Sequence, residues 1–273
     1  MRKADLLALD MDGTLLHRDL ALSDRNREAL KAFREEGGIV FLCSGRPTGM
    51  TLPYVYEISS EVYSSNNGAY IGTKDGKEIF SMPIGKKTLH DIYDYVTEGG
   101  FRFSFLCAGG LYSNRGDFSV FATQNEIAME LARKHRLPEI WIRSFSKEDI
   151  DGLPDIYKAV IFKKGNEEDG GLLKYLYENE DISVTFSRSF MIDISRRGIN
   201  KGSTLERCMD YLNIRKERVC AIGDYYNDVE MFERAGMSVA MGNSPEEVKR
   251  KATYTVSSCD EDGVAEAIEK YLL

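Results

Sequence analysis

Asp5-Leu6-Leu7-Ala8-Leu9-Asp10-Met11-Asp12-Gly13-Thr14-Leu15 is the stretch that decides the fold. Residues 5–9 are predicted to form a strand buried in a parallel sheet covered on both faces, because the apolar run Leu6-Leu7-Ala8-Leu9 is short, continuous and bounded by polar residues. Asp10 and Asp12 then close that strand. In an extended chain residues two apart face the same way, so this spacing aims two carboxylates at one point. By itself the pair also suits a turn or a helix cap. Its place after an apolar strand, with Gly13 free to turn sharply and leave main-chain N–H groups for an anion, favours a binding site.

Working outward, Ser23 is suited to cap a helix through Glu36, with Ala29, Leu30 and Phe33 on one face and Gly37-Gly38 as the stop. Residues 39–43 form the next apolar strand. It runs into Ser44-Gly45-Arg46-Pro47, where Pro47 can start another helix. This βαβ grammar leaves polar residues at strand ends, where open α/β sheets bind ligands. The grammar returns late in the chain. Residues 201–212 are helical in pattern, 219–222 form a strand, 227–234 start a helix, and 238–241, 245–252, 254–256 and 264–272 continue the alternation.

The middle reads differently. Residues 101–105 and 182–186 alternate apolar and polar side chains, which predicts an antiparallel sheet with one wet face. Helical patterns at 88–96, 125–135 and 171–177 are expected to cover its other face. The fold class is therefore α/β: a doubly wound, mostly parallel, Rossmann-like core sheet from residues 1–83 and 190–273, with an inserted α+β cap at 84–189.

Composition narrows the function. At 42% hydrophobic and 29% charged over 273 residues, the chain is neither disordered, collagenous nor membrane-like. Its formal charge of −8, with no block of consecutive Lys or Arg, argues against a nucleic-acid footprint. An anionic small molecule remains compatible, because one lysine and one metal ion reverse a local field. Cys43, Cys107, Cys208, Cys220 and Cys259 are widely spaced without Cys-x-x-Cys, the usage of small buried hydrophobes. Asp10 and Asp12 interrupt the first apolar run before a leader core forms, and no run approaches membrane-spanning length. The expectation is a cytoplasmic protein whose partner is a small molecule, with no membrane contact.

A second acidic cluster, Gly223-Asp224-Tyr225-Tyr226-Asn227-Asp228, follows the strand ending at Ile222. Two carboxylate clusters at the ends of parallel strands converge on one sheet edge, where their repulsion favours a divalent cation and oxygen-only ligands favour magnesium. Lys201 opens a predicted helix, and Ser44-Gly45-Arg46 supplies a hydroxyl and backbone amides. Each alone is unremarkable. Together with a metal they are the parts that phosphoryl transfer requires.

In this order the motifs resemble those of a haloacid dehalogenase-like phosphatase of the Cof type. Asp10-Met11-Asp12-Gly13-Thr14 is similar to the first motif, Ser44-Gly45-Arg46 to the second, Lys201 to the third, and Gly223-Asp224 with Asn227-Asp228 to the fourth. Asn67-Gly68-Ala69, Ala240-Met241-Gly242-Asn243-Ser244 and Asp262-Gly263-Val264-Ala265 also resemble stretches of this subgroup. The resemblance implies magnesium-dependent hydrolysis of small phosphate monoesters, sugar phosphates or phosphorylated cofactors, through an aspartyl-phosphate. Asp10 is then the nucleophile, already ionised at an ordinary carboxylate pKa, and Asp12 the acid and base. The metal is expected on Asp10, Asp12 through its main-chain carbonyl, and Asp224, with Asp228 orienting from behind. Met11, Ser44, Gly45, Lys201 and Asn227 are expected to hold phosphoryl oxygens. Arg46 receives no role. A phosphohexomutase is the alternative chemistry, and a non-catalytic sugar-phosphate sensor the alternative of another class.

Overall fold

The computed structural model describes residues 3–114, 119–165 and 167–273. The first part of the chain contains β1 (Leu6–Asp10), α1 (Asp24–Glu35), β2 (Ile39–Cys43), α2 (Thr48–Glu57) and β3 (Val62–Ser65), then the hairpin β4 (Tyr70–Thr73) and β5 (Glu78–Ser81). The middle contains α3 (Lys86–Glu98), β6 (Arg102–Leu106), β7 (Gly110–Ser113), α4 (Ser119–Lys134), β8 (Trp141–Ser144), β9 (Lys158–Phe162), α5 (Glu168–Glu178), β10 (Ile182–Arg188) and β11 (Met191–Arg196). The last part contains α6 (Lys201–Leu212), β12 (Val219–Gly223), α7 (Val229–Arg234), β13 (Met237–Ala240), α8 (Glu246–Lys249), β14 (Tyr254–Thr255) and α9 (Gly263–Ala267).

These strands make two sheets. The first has eight strands in the order β14-β13-β12-β1-β2-β3-β4-β5. From β14 to β3 its pairs are parallel, and β4 and β5 extend it as antiparallel strands. Both faces of β1 are buried, which is why its sequence is continuously apolar. Leu7 and Leu9 pack with Leu30 and Phe33 of α1 and Val264 of α9, whereas Leu6 and Ala8 pack with Leu205 of α6 and Met231 of α7. The chain leaves β1 toward β2 on one side and later enters β12 on the other. The order therefore reverses between β1 and β12, and a crevice opens at their carboxyl ends.

Local signals set the elements that feed this crevice. The Ser23 hydroxyl accepts the Asn26 N–H at 3.0 Å and starts α1 where the sequence placed it. Asn200 caps α6 by accepting the Ser203 N–H at 2.7 Å, which fixes Lys201 as the first helical residue.

The second sheet has six strands in the order β10-β11-β9-β6-β7-β8. Phe103, Phe105, Ile161, Ile192 and Ile194 bury one face under Leu89 and Ile92 of α3 and Leu172 and Leu176 of α5. The other face departs from the sequence expectation in three ways. Its polar positions are not wet: Lys158, Ser104, Ser113 and Asp193 are all buried, because this face turns toward the first sheet. Nor does α4 join α3 and α5. It lies on the inner side, where Ala128 packs with Leu111, Ile140 and Met50 of α2. Finally, β11 pairs with β9 and β10, so the second sheet continues to Arg196, past the return to the core expected at residue 190.

Candidate active site

Asp10 ends β1 and Asp224 follows β12, so the reversal of strand order sets their carboxylates beside each other. Gly13 makes the close approach possible. Its φ is +81°, and a Cβ at this position would collide with the Asp224 carboxylate. Thr14 Oγ1 donates to Asp224 Oδ1 at 3.3 Å, and Asn243 Nδ2 donates to Gly13 O at 2.8 Å and to Asp224 Oδ2 at 3.3 Å. From the start of α6, Lys201 Nζ donates to Asp10 Oδ1 and, at 2.6 Å, to Asp228 Oδ1. Asp228 Oδ2 in turn accepts the backbone N–H groups of Asp224 and Tyr225, at 3.0 and 3.1 Å. Both oxygens of Asp228 are thus engaged in holding the lysine and the loop after β12.

The electrostatics follow from burial. Desolvation pushes the Asp10 carboxyl up to about 7, with Asp228 and Asp12 adding to the rise and Lys201 opposing it. This differs from the ordinary carboxylate expected from sequence, which took no account of a fully buried strand end. Asp224 is also pushed well up, by burial first and then by Asp10 and Asp228. Burial acts on Lys201 in the opposite direction, but Asp10 and Asp228 outweigh it and keep the ammonium charged. Oxygens of Asp10, Asp224 and Asp228 lie within 4.8 Å of one another. With all three ionised and one lysine present, two negative charges remain among hard oxygen donors, a donor set that fits a divalent cation such as magnesium.

A cavity of about 500 Å³ opens above this cluster, between the two sheets. Asp10, Asp12, Gly45, Asp224 and Asn227 line it, and Leu106, Lys158, Val160 and Met191 from the second sheet form its roof. Met11, Ser44, Lys201 and Asp228 are not on its wall. The Met11 side chain sits in the apolar core, and the Ser44 hydroxyl accepts the Arg46 N–H at 3.1 Å. Arg46 clamps Asp12 with both arms of its fork, Nε to Oδ2 at 2.8 Å and Nη2 to Oδ1 at 2.6 Å. Its guanidinium also lies 5.2 Å from the centre of the Tyr54 ring.

Sequence reasoning had no means of pairing Arg46 with Asp12, which is 34 residues away. Asn243 was visible only as part of a motif, without its contact to Asp224. Lys158 had a signal that was not used: a lysine that opens an apolar strand.

A carboxylate-lined pit roofed by an inserted sheet defines a class of α/β protein, the capped hydrolases. The model of the haloacid dehalogenase-like hydrolase family matches residues 7–268, and the chain belongs to that family. Among its relatives, a 5-amino-6-(5-phospho-D-ribitylamino)uracil phosphatase of Bacillus subtilis is 30% identical over 277 residues, covering 98% of this chain and 96% of the relative. A haloacid dehalogenase-like hydrolase from B. subtilis superposes with a TM-score of 0.86 at 25% identity, covering 98% of this chain and all of the other. Another, from Bacteroides thetaiotaomicron, gives a TM-score of 0.80 at 29% identity, covering 98% of this chain and 99% of the other. Among the described residues no helix is long and apolar enough to cross a membrane.

Proposed function

We propose that this phosphoric monoester hydrolase is a magnesium-dependent phosphatase of small hydroxylated phosphate esters, working through a phosphorylated Asp10. The observation that carries the reading is the Lys201 ammonium held between Asp10 and Asp228 at the sheet edge, with Asp224 beside them. In this reading an Asp10 oxygen attacks phosphorus, the bond to the leaving oxygen breaks, and Asp12 gives that oxygen a proton. Asp12 then takes a proton from the water that attacks the aspartyl-phosphate, restoring Asp10 and releasing phosphate.

Charge is the obstacle to the first step. A carboxylate 4 Å from a phosphate dianion, at an effective dielectric of 20, faces repulsion of order ~8 kcal/mol. Lys201 offsets part of it and holds Asp10 in place. Asp10, the main-chain carbonyl of Asp12 and Asp224 are the groups that would hold magnesium, which when bound supplies further positive charge beside the phosphoryl oxygens. Asp228, with both oxygens committed to Lys201 and two N–H groups, is suited to position its neighbours rather than to ligate. Gly45 and Asn227 on the cavity wall are suited to receive phosphoryl oxygens. The substrate class is supported by two relatives named as phosphatases of a phosphorylated ribityl compound, one at 30% and one at 28% identity.

The test is phosphate release from a panel of sugar, pentitol and aryl phosphates, with magnesium and after chelation. Wild-type protein hydrolyses several of them only with the metal, and Asp10→Asn hydrolyses none while keeping its fold. Full activity after rigorous chelation, or Asp10→Asn turnover within severalfold of wild type in a sample free of deamidation, defeats the reading.

A further inference from the structure

The inner face of the second sheet carries a charge that the reaction above does not use. Lys158 opens β9 on the cavity roof, 3% exposed, among the apolar side chains of Leu106, Val160 and Met191. Its ammonium donates to Asp193 Oδ2 of β11 at 3.0 Å, and Asp193 is 1% exposed. The cation faces the cavity, whereas Asp193 lies behind it and is not part of the wall. Replacing a buried ion pair by apolar side chains is often neutral or stabilising, so packing alone gives little reason for this pair.

Its surroundings point to an anion. A Cβ on Gly45 would lie 3.5 Å from Lys158 Nζ and 2.9 Å from Asn67 Oδ1. The missing side chain thus leaves the ammonium open to the loop after β2. Asn67 Nδ2 donates to Asp193 Oδ2 at 2.9 Å, and Asn67 Oδ1 lies 3.5 Å from Asn227 Nδ2. The pair is thereby tied to two core loops, those of Gly45 and Asn227, that the proposed function assigns to phosphoryl oxygens. Among the described residues Lys158 has one hydrogen-bonded partner, Asp193, although an ammonium carries three donors.

We propose that Lys158 is a substrate-binding residue of the cap: its ammonium, steered by Asp193, takes a non-bridging phosphoryl oxygen as a second cationic contact besides Lys201. The inference rests on the reading of the site as a phosphatase. It makes the phosphate site complete only when the second sheet sits over the first. Because the contact is to the phosphoryl group and not to the leaving group, Lys158 contributes to every ester alike.

The experiment compares wild type with Lys158→Gln, which keeps a hydrogen-bond donor for Asp193 but no charge. Calorimetry with inorganic phosphate and magnesium reads binding, and kcat/KM is measured for a hexose, a pentitol and an aryl phosphate. A charge-assisted hydrogen bond of this kind corresponds to a loss of about ten- to hundredfold in phosphate affinity. All three esters lose kcat/KM by a common factor. Unchanged phosphate affinity overturns the proposal, as does a loss confined to one ester, which would assign Lys158 to the leaving group. Should Lys158→Gln fail to fold, the double variant Lys158→Met with Asp193→Asn removes the buried pair together and answers the same question.

Asp193→Asn tests the positioning role: it weakens phosphate binding in the wild-type background and adds nothing to Lys158→Met, and a further loss there overturns that role. If wild type binds phosphate but hydrolyses no ester, the phosphatase reading fails while the binding comparison still decides Lys158. A wild-type protein that does not bind phosphate overturns the inference itself.

Discussion

Asp12 has two obligations that conflict. In its proposed role as acid and base it needs an oxygen to meet the leaving group, yet both of its oxygens accept from Arg46. In that role the pair would loosen as an oxygen turns to the leaving group, and Arg46, 4% exposed, depends on Asp12 for a counter-charge. Asp12→Ala is therefore expected to cost stability as well as turnover. The loss is about 2–3 kcal/mol, below the range for a wholly buried pair because Asp12 is 30% exposed. Adding Arg46→Met recovers the stability without the turnover. Denaturant titrations and kcat for the three proteins check this; stability that stays low in the double variant means that Arg46 is held by other contacts. The raised carboxyls give a second expectation. Folded Asp10 keeps its proton up to about 7, against an unfolded value near 3.8, so its contribution to metal-free stability is complete below 3.8 and lost as pH rises through 7. Magnesium at the proposed site would compete with protons for the same oxygens. Its increment in Tm is expected to be larger at about pH 8 than at about pH 5.5, and melts with magnesium and with a chelator at the two pH values measure it. An increment that shrinks with pH contradicts proton competition at Asp10. The identities of Asp10 and Asp224 were legible because strand-end carboxylates leave a pattern of two short motifs. The shift in Asp10 was not, because it depends on how deeply the folded strand end is buried and on the charges of Lys201 and Asp228, which lie far away in sequence.

Elements were legible where one physical signal decided them. Continuous apolar residues between polar ones mark β2 at Ile39–Cys43, and the helical pattern of residues 201–212 marks α6 at Lys201–Leu212. Partner choice was not legible, since alternation in Met191–Arg196 says that a strand has two faces and nothing about which sheet it joins. The same holds for α4, whose apolar side chains do not say that it rests on α2. What fixes α4 there is Glu57 at the end of α2, with its side chain 7% exposed. Glu57 accepts from Lys134 at 2.7 and 2.9 Å, pairs with His135 at 2.8 Å, and accepts from Arg27 of α1 at 3.1 Å. Burial alone would raise this carboxyl, but Lys134, His135 and Arg27 outweigh it and draw it down to about 2. A depressed carboxyl stabilises the fold above its ordinary value of 4.5, and that contribution is lost as pH falls through about 2. Allowing for the solvent around Lys134 and Arg27, Glu57→Gln is expected to cost about 2 kcal/mol at neutral pH and little at about pH 2. Chemical denaturation at both pH values separates the causes: an equal loss at each would mean that the side chain acts by packing and not by charge.

At the scale of the whole molecule, the chemistry and the roof of the site come from different parts of the chain. Asp10, Asp12 and Asp224 lie at or just beyond strand ends of the first sheet and Lys201 opens α6 beside it, whereas Leu106, Lys158, Val160 and Met191 descend from the second. A site of this construction would be open to water without the roof, and the roof has to meet whatever part of the ester lies beyond the phosphoryl group. We therefore propose that the inserted unit chooses the leaving group while the core performs a common reaction. Exchanging that unit for the one in a relative of different preference should move the ranking of kcat/KM among esters with the transplanted segment. The strand pairing dictates where to cut. β11 lies between β9 and β10, so a junction at residue 189 would set this chain's own β11 between two strands of the donor and divide the packing of the second sheet between two sequences. A junction after Arg196 keeps the sheet whole and still leaves Asn200 to cap α6 and deliver Lys201. The chimera joined at 83/84 and 196/197 is expected to fold and to take the donor's preference, and the one joined at 189/190, whose second sheet mixes strands of two sequences, to have the lower Tm. A ranking that stays with the core in a folded chimera would place specificity in the first sheet and its loops, among which the His17 to Leu20 stretch on the cavity wall would be the next to exchange.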